Sequence, residues 1–403
     1  MPEQRIVLRN CGVIDPKDIG TYLDQGGFKA LEKASAELTP EQVIEEIKKS
    51  GLLGRGGAGF PAGLKWQFAS KASGEEKYVI CNADEGEVGT FKDRYILERD
   101  PFSLIEAMAI AGYAIGARKG YIYLRAEYHY LLDLLEGAIA QCKDRGFLDK
   151  QGNFKFDIEI REGAGAYVCG EESALMDSIE GKRGEPRYRP PFPPSQGLWQ
   201  KPTIINNVET LMNVPAIILK GADWFNRIGA EQSKGTKVFS VSGDVRAPGT
   251  YELIMGSSLR ELVEELALAE KVKMVQVGGA SGRIIPYHLI DTPLAFEGVL
   301  GAGAIIVFNE SRDVIDIVRR TVEFFVEESC GKCTPCREGT QLMLEILTRF
   351  WQGQGSKQDI EILEDLASAM MLSSLCGLGQ AAPNVVVDTL QHYRSAYEAR
   401  IQG

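Results

Sequence analysis

Cys330, Cys333 and Cys336 stand two residues apart in CGKCTPCRE, and Cys376 follows in SSLCGLGQ. Three thiolates at that spacing wrap one face of a cubane and a remote fourth closes it, the arithmetic of a [4Fe–4S] site. A structural zinc site more often pairs its thiolates as two separate C-x-x-C knuckles. Four core cysteines with no metal are the remaining alternative. Three cysteines crowded beside Lys332 and Arg337 are unlike free core thiols. Such a cluster mainly moves single electrons, so the chain should also hold an electron source.

Two glycine loops and an acidic strand end carry the other chemistry. GLLGRGGAGFPAGLKW contains Gly54-x-Gly56-x-x-Gly59, with Gly57 between them. The ordinary dinucleotide fingerprint follows a strand and opens a helix, whereas this loop follows a helical pattern at Val43–Lys49. A glycine run still lets backbone N–H groups approach phosphate, and Arg55 and Lys65 add charge. A flexible turn between helices is the plainer reading. Phe60, Trp66 and Phe68 beside it could stack on ligand rings or be core.

CNADEGEVGTFKDR places Asn82, Asp84, Glu85 and Glu87 just past a strand, where open α/β sheets bind ligands. Carboxylates there suit ribose or ribityl hydroxyls; a solvated acidic turn is the alternative, above all for Glu87. In EGAGAYVCGEESALMDSIEG, Gly163, Gly165 and Gly170 permit close backbone approach, and Glu171 and Glu172 fall at a helix start, partly explained as dipole partners. Asn206 and Asn207 in IINNVETL could read the edge of a flavin or serve as N-caps. Two cradles, stacking aromatics and an acidic loop suggest two ligands. A flavin and a nicotinamide dinucleotide fit, since a flavin takes a hydride and releases single electrons.

The elements that must position these groups fall into three regimes. Up to about residue 230, strand and helix patterns alternate. LTPEQVIEEIKKSG opens with Thr39 as N-cap, Pro40 at N1 and Gln42 closing a capping box, and stops at Gly51. KYVICNAD, GYIYLRAEY and FKFDIEIRE read as strands, with PFSLIEAMAIAGYAIGAR and YLLDLLEGAIAQCKDRG as helices between them. That is an α/β fold with a parallel sheet. From Thr236 to Asn309, VFSVSGDV, GTYELI, VKMVQVGG and AIIVFN are short strands with one helix near SSLRELVEELAL, a small α+β module. From about Arg312 the chain is helical, with Ser356 and Asp359 at another helix start, and holds the cysteines.

At 403 residues the chain is long enough for two or three cores. A net charge of −11 argues against nucleic acid as the main ligand. Eight cysteines, four of them committed to a cluster, suit a reducing, cytoplasmic location. MPEQRIVLRNCG shows no signal peptide, and no apolar stretch is long enough for membrane insertion. His129, His288 and His392 lie outside every motif, and no catalytic acid or base is expected.

GRGGAGFPAGLKW, CNADEGEVGTFKDR, GAGAYVCGEESAL, KPTIINNVET and CGKCTPCREG occur in this order. Together they closely resemble the NADH-binding, FMN-containing subunit of respiratory complex I and its relatives in NAD-linked hydrogenases and formate dehydrogenases. The resemblance covers nearly the whole chain from Arg5. It implies a Rossmann-like FMN- and NADH-binding domain over 1–232. A ubiquitin-like module of the soluble-ligand-binding β-grasp type would follow over 233–311, and a helical bundle with the cluster over 312–403.

Gly54, Arg55, Gly56, Gly57, Lys65, Asn82, Asp84, Glu85, Gly170, Glu171, Glu172, Asn206 and Asn207 would line the FMN site. Phe60, Phe68, Glu87 and Phe192 would contact NADH, with Tyr167 near the flavin and the acidic loop disfavouring a 2′-phosphate. Cys330, Cys333, Cys336 and Cys376 would hold one [4Fe–4S] cluster. Gly86 and Val88 replace the serine and proline usual in complex I, and SSLCGLGQAAPN looks closer to the hydrogenase and formate dehydrogenase branch. Longer members of that branch carry further clusters. The resemblance therefore implies a thioredoxin-like [2Fe–2S] subunit and a large hydrogenase or formate dehydrogenase catalytic subunit as partners. A hetero-oligomer follows, a dimer of heterotrimers being one form, with electron bifurcation left open.

Overall fold

The structure, a computed structural model, describes residues 4–148 and 154–402. The first three residues of the stretch read for a signal peptide lie outside them. Strands β1 (Tyr78–Ala83), β2 (Lys119–Leu124), β3 (Asp157–Glu162) and β4 (Thr203–Asn207) form one parallel sheet in the order β3-β2-β1-β4. The chain steps outward from β1 to β3, then returns to pair β4 on the other side of β1. That reversal opens a crevice at the carboxyl ends of β1 and β4, where doubly wound sheets take their ligands.

β1, β2 and β3 form where the apolar runs predict them. β4 differs, because its paired asparagines are poor strand formers and read instead as a helix lead-in. The register supplies the reason. Asn206 pairs with Cys81 and Asn207 with Asn82, so the amides sit on the last rungs beside the crevice. Behind the sheet, the Pro101–Ile115 helix buries every residue but Tyr113. A helix apolar all round belongs in a core, and Asp100 caps it while Gly116, at φ +77°, ends it. The Thr39–Gln42 and Ser356–Asp359 capping boxes both form as read.

A second sheet contains β5 (Thr236–Gly243), β6 (Gly249–Ile254), β7 (Val272–Val277), β8 (Arg283–Pro286) and β9 (Ala304–Asn309), in the order β6-β5-β9-β7-β8. β5 and β9 run parallel at the centre and the outer pairs are antiparallel, as the ubiquitin-like expectation requires. β8 has no strand pattern in the sequence: it is four residues long and ends in proline, which an edge strand tolerates. The helix expected near SSLRELVEELAL is a single π-helical turn, Glu261–Leu266. Helices Val314–Glu328, Thr334–Trp351, Lys357–Ser373, Gly377–Ala381, Asn384–His392 and Arg394–Glu398 complete the chain. Among the described residues no helix is long and apolar enough to cross a membrane.

Buried charges join the two sheets. Glu209 Oε2 accepts from Lys237 Nζ at 2.6 Å and lies 3.0 Å from Lys92 Nζ, while Lys92 also donates to Asp93 at 2.7 Å. All four side chains are buried. Despite burial, the ammonium groups of Lys237 and Lys92 hold Glu209 below the usual carboxylate range. Removing one partner of such a set strands the others without water. Glu209→Ala should therefore lower unfolding stability by about 3–5 kcal/mol in chemical denaturation; a loss under about 1 kcal/mol would show that the sheets are joined by other contacts.

Candidate functional site

Four segments converge on the β1/β4 crevice. The glycine loop is pinched at its base, Gly54 N donating to Phe60 O at 2.9 Å beside a Leu53–Pro61 bridge. Its middle lies on β4: a Cβ on Gly56 would stand 3.1 Å from that of Asn207. The Ala62–Lys71 helix then carries Lys65 to the Ile205 carbonyl at 2.8 Å and to the Glu172 carboxylate. Trp66 is buried and donates to Asn206 Oδ1 at 2.9 Å, so it is core. Phe60 and Phe68 divide from it, at 44% and 50% exposed, and Phe192 is 55% exposed. Exposed phenylalanines are available to stack.

Arg55 departs from the expectation of a charged cradle. It is fully buried, with Nε donating to the Thr236 carbonyl at 3.1 Å and Nη1 to that of Leu53 at 2.9 Å. Even its backbone N–H is taken, by Thr210 Oγ1 at 2.8 Å. Its guanidinium holds the loop to β5 instead of facing a phosphate.

Beyond β1 the acidic residues separate by role. Glu85 is buried and accepts from the N–H groups of Asp93 (2.9 Å) and Arg94 (3.0 Å), from Thr90 Oγ1 and from Tyr128 OH. It thus anchors the first turn of the Lys92–Arg99 helix, where a carboxylate offsets the unpaired N–H groups. Glu171 likewise caps the Glu172–Ile179 helix through Ser173 N and Ala174 N and pairs with Arg189. Asn207 caps the Val208–Met212 helix and donates to Asp93 at 2.6 Å. Glu85, Glu171 and Asn207, expected at the cofactor, spend these side-chain bonds on the frame around it.

Asp84 is different. Asn82 fixes the turn, donating to Gly170 O at 2.9 Å and accepting from Asp84 N at 3.0 Å. Asp84 Oδ2 is left buried with no hydrogen-bond partner. A Cβ on Gly170 would stand 3.7 Å from it, so the glycine keeps space open there. Burial pushes the Asp84 carboxyl up to about 7, only partly opposed by Arg125.

Tyr167 ties the crevice to the other two regions. Its hydroxyl donates to Glu87 Oε2 at 2.8 Å, and Glu87 also accepts from Ser281 of the second sheet module. Tyr167 N donates to Glu328 at 3.0 Å, and its ring meets Phe324 edge-on at 5.2 Å. Burial raises Glu87 against those hydrogen bonds. Ser281 and Glu328 carry no signal in the sequence, since nothing local marks a contact between regions so far apart in the chain.

The cysteines follow directly. Cys330 and Cys333 precede the Thr334–Trp351 helix and Cys336 lies in its first turn, where the helix N-terminus favours thiolate. Cys376 precedes the Gly377–Ala381 turn of helix. Burial pushes the Cys336 thiol up to about 11, and the negative charges of Cys333, Cys376 and Cys330 add to the rise. Among the described residues no three cysteine, histidine, aspartate or glutamate side chains converge tightly enough for a single metal ion.

Residues 47–216 match the family profile described as the Nuo51 FMN-binding domain, and residues 316–400 that of the NADH-ubiquinone oxidoreductase-F iron-sulfur binding region. An NADH-quinone oxidoreductase subunit of Rhizobium meliloti is 46% identical, over 98% of this chain and 97% of that protein. The chain belongs to this family. NADP-reducing hydrogenase subunit HndC of Solidesulfovibrio fructosivorans is 45% identical over 98% of this chain and 83% of its own length. The alpha subunit of NAD-reducing hydrogenase HoxS from Cupriavidus necator is also 45% identical, and the chain spans 61% of it. The crystal structure of an NAD+-reducing [NiFe]-hydrogenase in the H2-reduced state superposes with a TM-score of 0.89 at 44% identity, over 93% of this chain and 65% of that one.

The family uses FMN, NADH and a 4Fe-4S cluster, and the residues present fit them. The orphaned Asp84 Oδ2, beside the space Gly170 leaves, needs a donor such as a sugar or ribityl hydroxyl. Four cysteines at two helix starts form an all-sulfur donor set suited to iron–sulfur. Ser374 Oγ, buried without a partner, lies beside Cys336 at Gly379, a hydroxyl that cluster sulfur would satisfy.

Asp84 also gives a pH dependence. In the fold its carboxyl keeps a proton to about pH 7, against an ordinary value of 3.8. The unfolded chain binds fewer protons in that window, so ligand-free stability falls as pH rises through it. Asp84→Asn should stabilise the ligand-free protein by roughly 1–3 kcal/mol at pH 8 and little at pH 4, while loosening flavin. Equal melting shifts at both pH values would sink this account.

Proposed function

We propose that this chain is the NADH-oxidising subunit of an NAD-linked hydrogenase, passing electrons from NADH through FMN to its own [4Fe–4S] cluster and on to a partner. The feature carrying the hydrogenase reading is Gly86 in the acidic loop. A Cβ there would stand 3.2–3.3 Å from Tyr167, so the serine usual in complex I would press on the ring that links crevice and cluster. Near-equal identity to the Rhizobium meliloti quinone oxidoreductase protein and to HndC supports a complex I arm as the second reading.

In this proposal Gly54, Gly56, Gly57, Lys65, Asn82, Asp84, Gly170, Glu172 and Asn206 face FMN, over a frame set by Arg55, Glu85, Glu171 and Asn207. Phe60, Phe68 and Phe192 stack on NADH, Glu87 meets its sugar side, and Tyr167 stands between flavin and cluster. Cys330, Cys333, Cys336 and Cys376 ligate iron. The three units divide at 232 and 311. Bound FMN supplies the conversion of an electron pair into single electrons. The chain's residues supply position: the phenylalanines orient the dinucleotide, and Tyr167 with Glu87 excludes water at the junction.

Tagged chain isolated from its own cells should bring down a hydrogenase subunit and couple NADH oxidation to H2 evolution. Recovery with a quinone-reducing membrane arm alone would overturn the hydrogenase assignment. Cys336→Ala or Cys376→Ala should each cut iron from about four per chain to near zero, read by iron assay. Phe192→Ala should raise KM for NADH in ferricyanide reduction by about tenfold or less, as loss of one stacking ring predicts, with flavin content unchanged.

A further inference from the structure

We infer that the Ser329 hydroxyl donates a hydrogen bond to the Cys336 sulfur and thereby raises the reduction potential of the cluster. This rests on the reading that the four cysteines hold a cluster. Ser329 Oγ lies 3.3 Å from Cys336 Sγ. With a free thiol either atom could donate. A ligating cysteine is a thiolate and can only accept, so the proton must come from the serine. The other neighbour agrees. Gly331 N donates to Ser329 Oγ at 3.3 Å, which occupies a lone pair and leaves the hydroxyl proton free for sulfur.

The hydroxyl is held in place from two sides. Ser329 ends the Val314–Glu328 helix in extended conformation, and the preceding Glu328 is tied to Tyr167 N at 3.0 Å. Cys336 sits in the first turn of the Thr334–Trp351 helix, buried, with its carbonyl accepting from Thr340 Oγ1 at 2.8 Å. Donor and acceptor thus stand on separate helices, each fixed independently of the other. Such hydrogen bonds to cluster sulfur are among the factors that set potential. Reduction adds one negative charge to the cluster, and a donor at a ligand sulfur favours the more negative state. Loss of the donor should make the cluster harder to reduce.

The test is an EPR-monitored redox titration of the holoenzyme with Ser329→Ala and Ser329→Thr. The alanine variant should keep its iron and be about tenfold less reduced at a given potential, a negative shift of ~59 mV for one electron. The threonine variant, which keeps the hydroxyl, should restore most of that shift. A fully loaded alanine variant with unchanged potential, or a threonine variant displaced as far as alanine, overturns the inference. If the alanine variant loses iron, a protein that keeps Ser329 decides. In Ser374→Ala, which removes the other hydroxyl beside Cys336, pulsed EPR within seconds of transfer to D2O should lose one strongly coupled proton, and its persistence or absence counts against Ser329. An unsubstituted holoenzyme without iron at this site would instead sink the four-cysteine reading itself.

Discussion

Glu209 carries the contact on which the rest of the architecture depends. Its carboxylate accepts from Lys237 and Val238 N of β5 and lies 3.0 Å from Lys92, with water excluded from all of them. A buried carboxylate between two ammonium groups is costly to assemble and more costly to break, so it selects one arrangement of the sheets. Its reach extends to the ligand crevice. Lys237 also donates to the Ala302 carbonyl at 3.1 Å, and Gly59 of the glycine loop approaches Phe296 so closely that a Cβ would stand 2.5 Å from its ring. The second sheet module therefore forms a wall of the crevice, and the ion set fixes where that wall stands.

The same logic operates at Tyr167, where hydrogen bonds replace charge pairs. Glu87 accepts from Tyr167 of one sheet domain and Ser281 of the other module, while Tyr167 N reaches Glu328 at the end of the helix leading to Cys330. Ligand crevice, second sheet and cysteine helix are joined through one aromatic residue. A shift of any of the three would strand a buried acceptor, which costs about 1–3 kcal/mol. Electron transfer between two cofactors needs a fixed separation, and a junction of this kind provides one.

Much of this was legible in the sequence, and the limits have physical causes. Apolar runs gave β1, β2 and β3, capping chemistry gave the Pro40–Lys49 and Lys357–Ser373 helices, and motif order gave the convergence of both glycine loops with the acidic turn. β4 and β8 escaped, since paired asparagines and a four-residue run ending in proline are stabilised by neighbours and not by propensity. Side-chain roles were harder still. Arg55, Glu85 and Glu171 have the right chemistry for a ligand, but burial and helix starts claim them first. Lys92, Asp93 and Glu209 stand inside the quoted motifs, yet only the folded chain shows that they hold sheet to sheet.

That redistribution sharpens what selects the ligands. A loop rich in carboxylate suggested a strongly negative site. In the fold Glu85 and Glu171 are spent on helix starts, Glu172 on Lys65 and Glu87 on Tyr167 and Ser281. Among these carboxylates Asp84 keeps a desolvated oxygen without a hydrogen-bond partner, beside glycine backbone. An acceptor without a hydrogen-bond partner discriminates by hydrogen bonding more than by Coulomb attraction, because a ligand without a hydroxyl there leaves it orphaned. In the proposed site recognition then depends on shape and on hydrogen bonding, while much of the charge around it serves to keep the crevice walls where those contacts can be made.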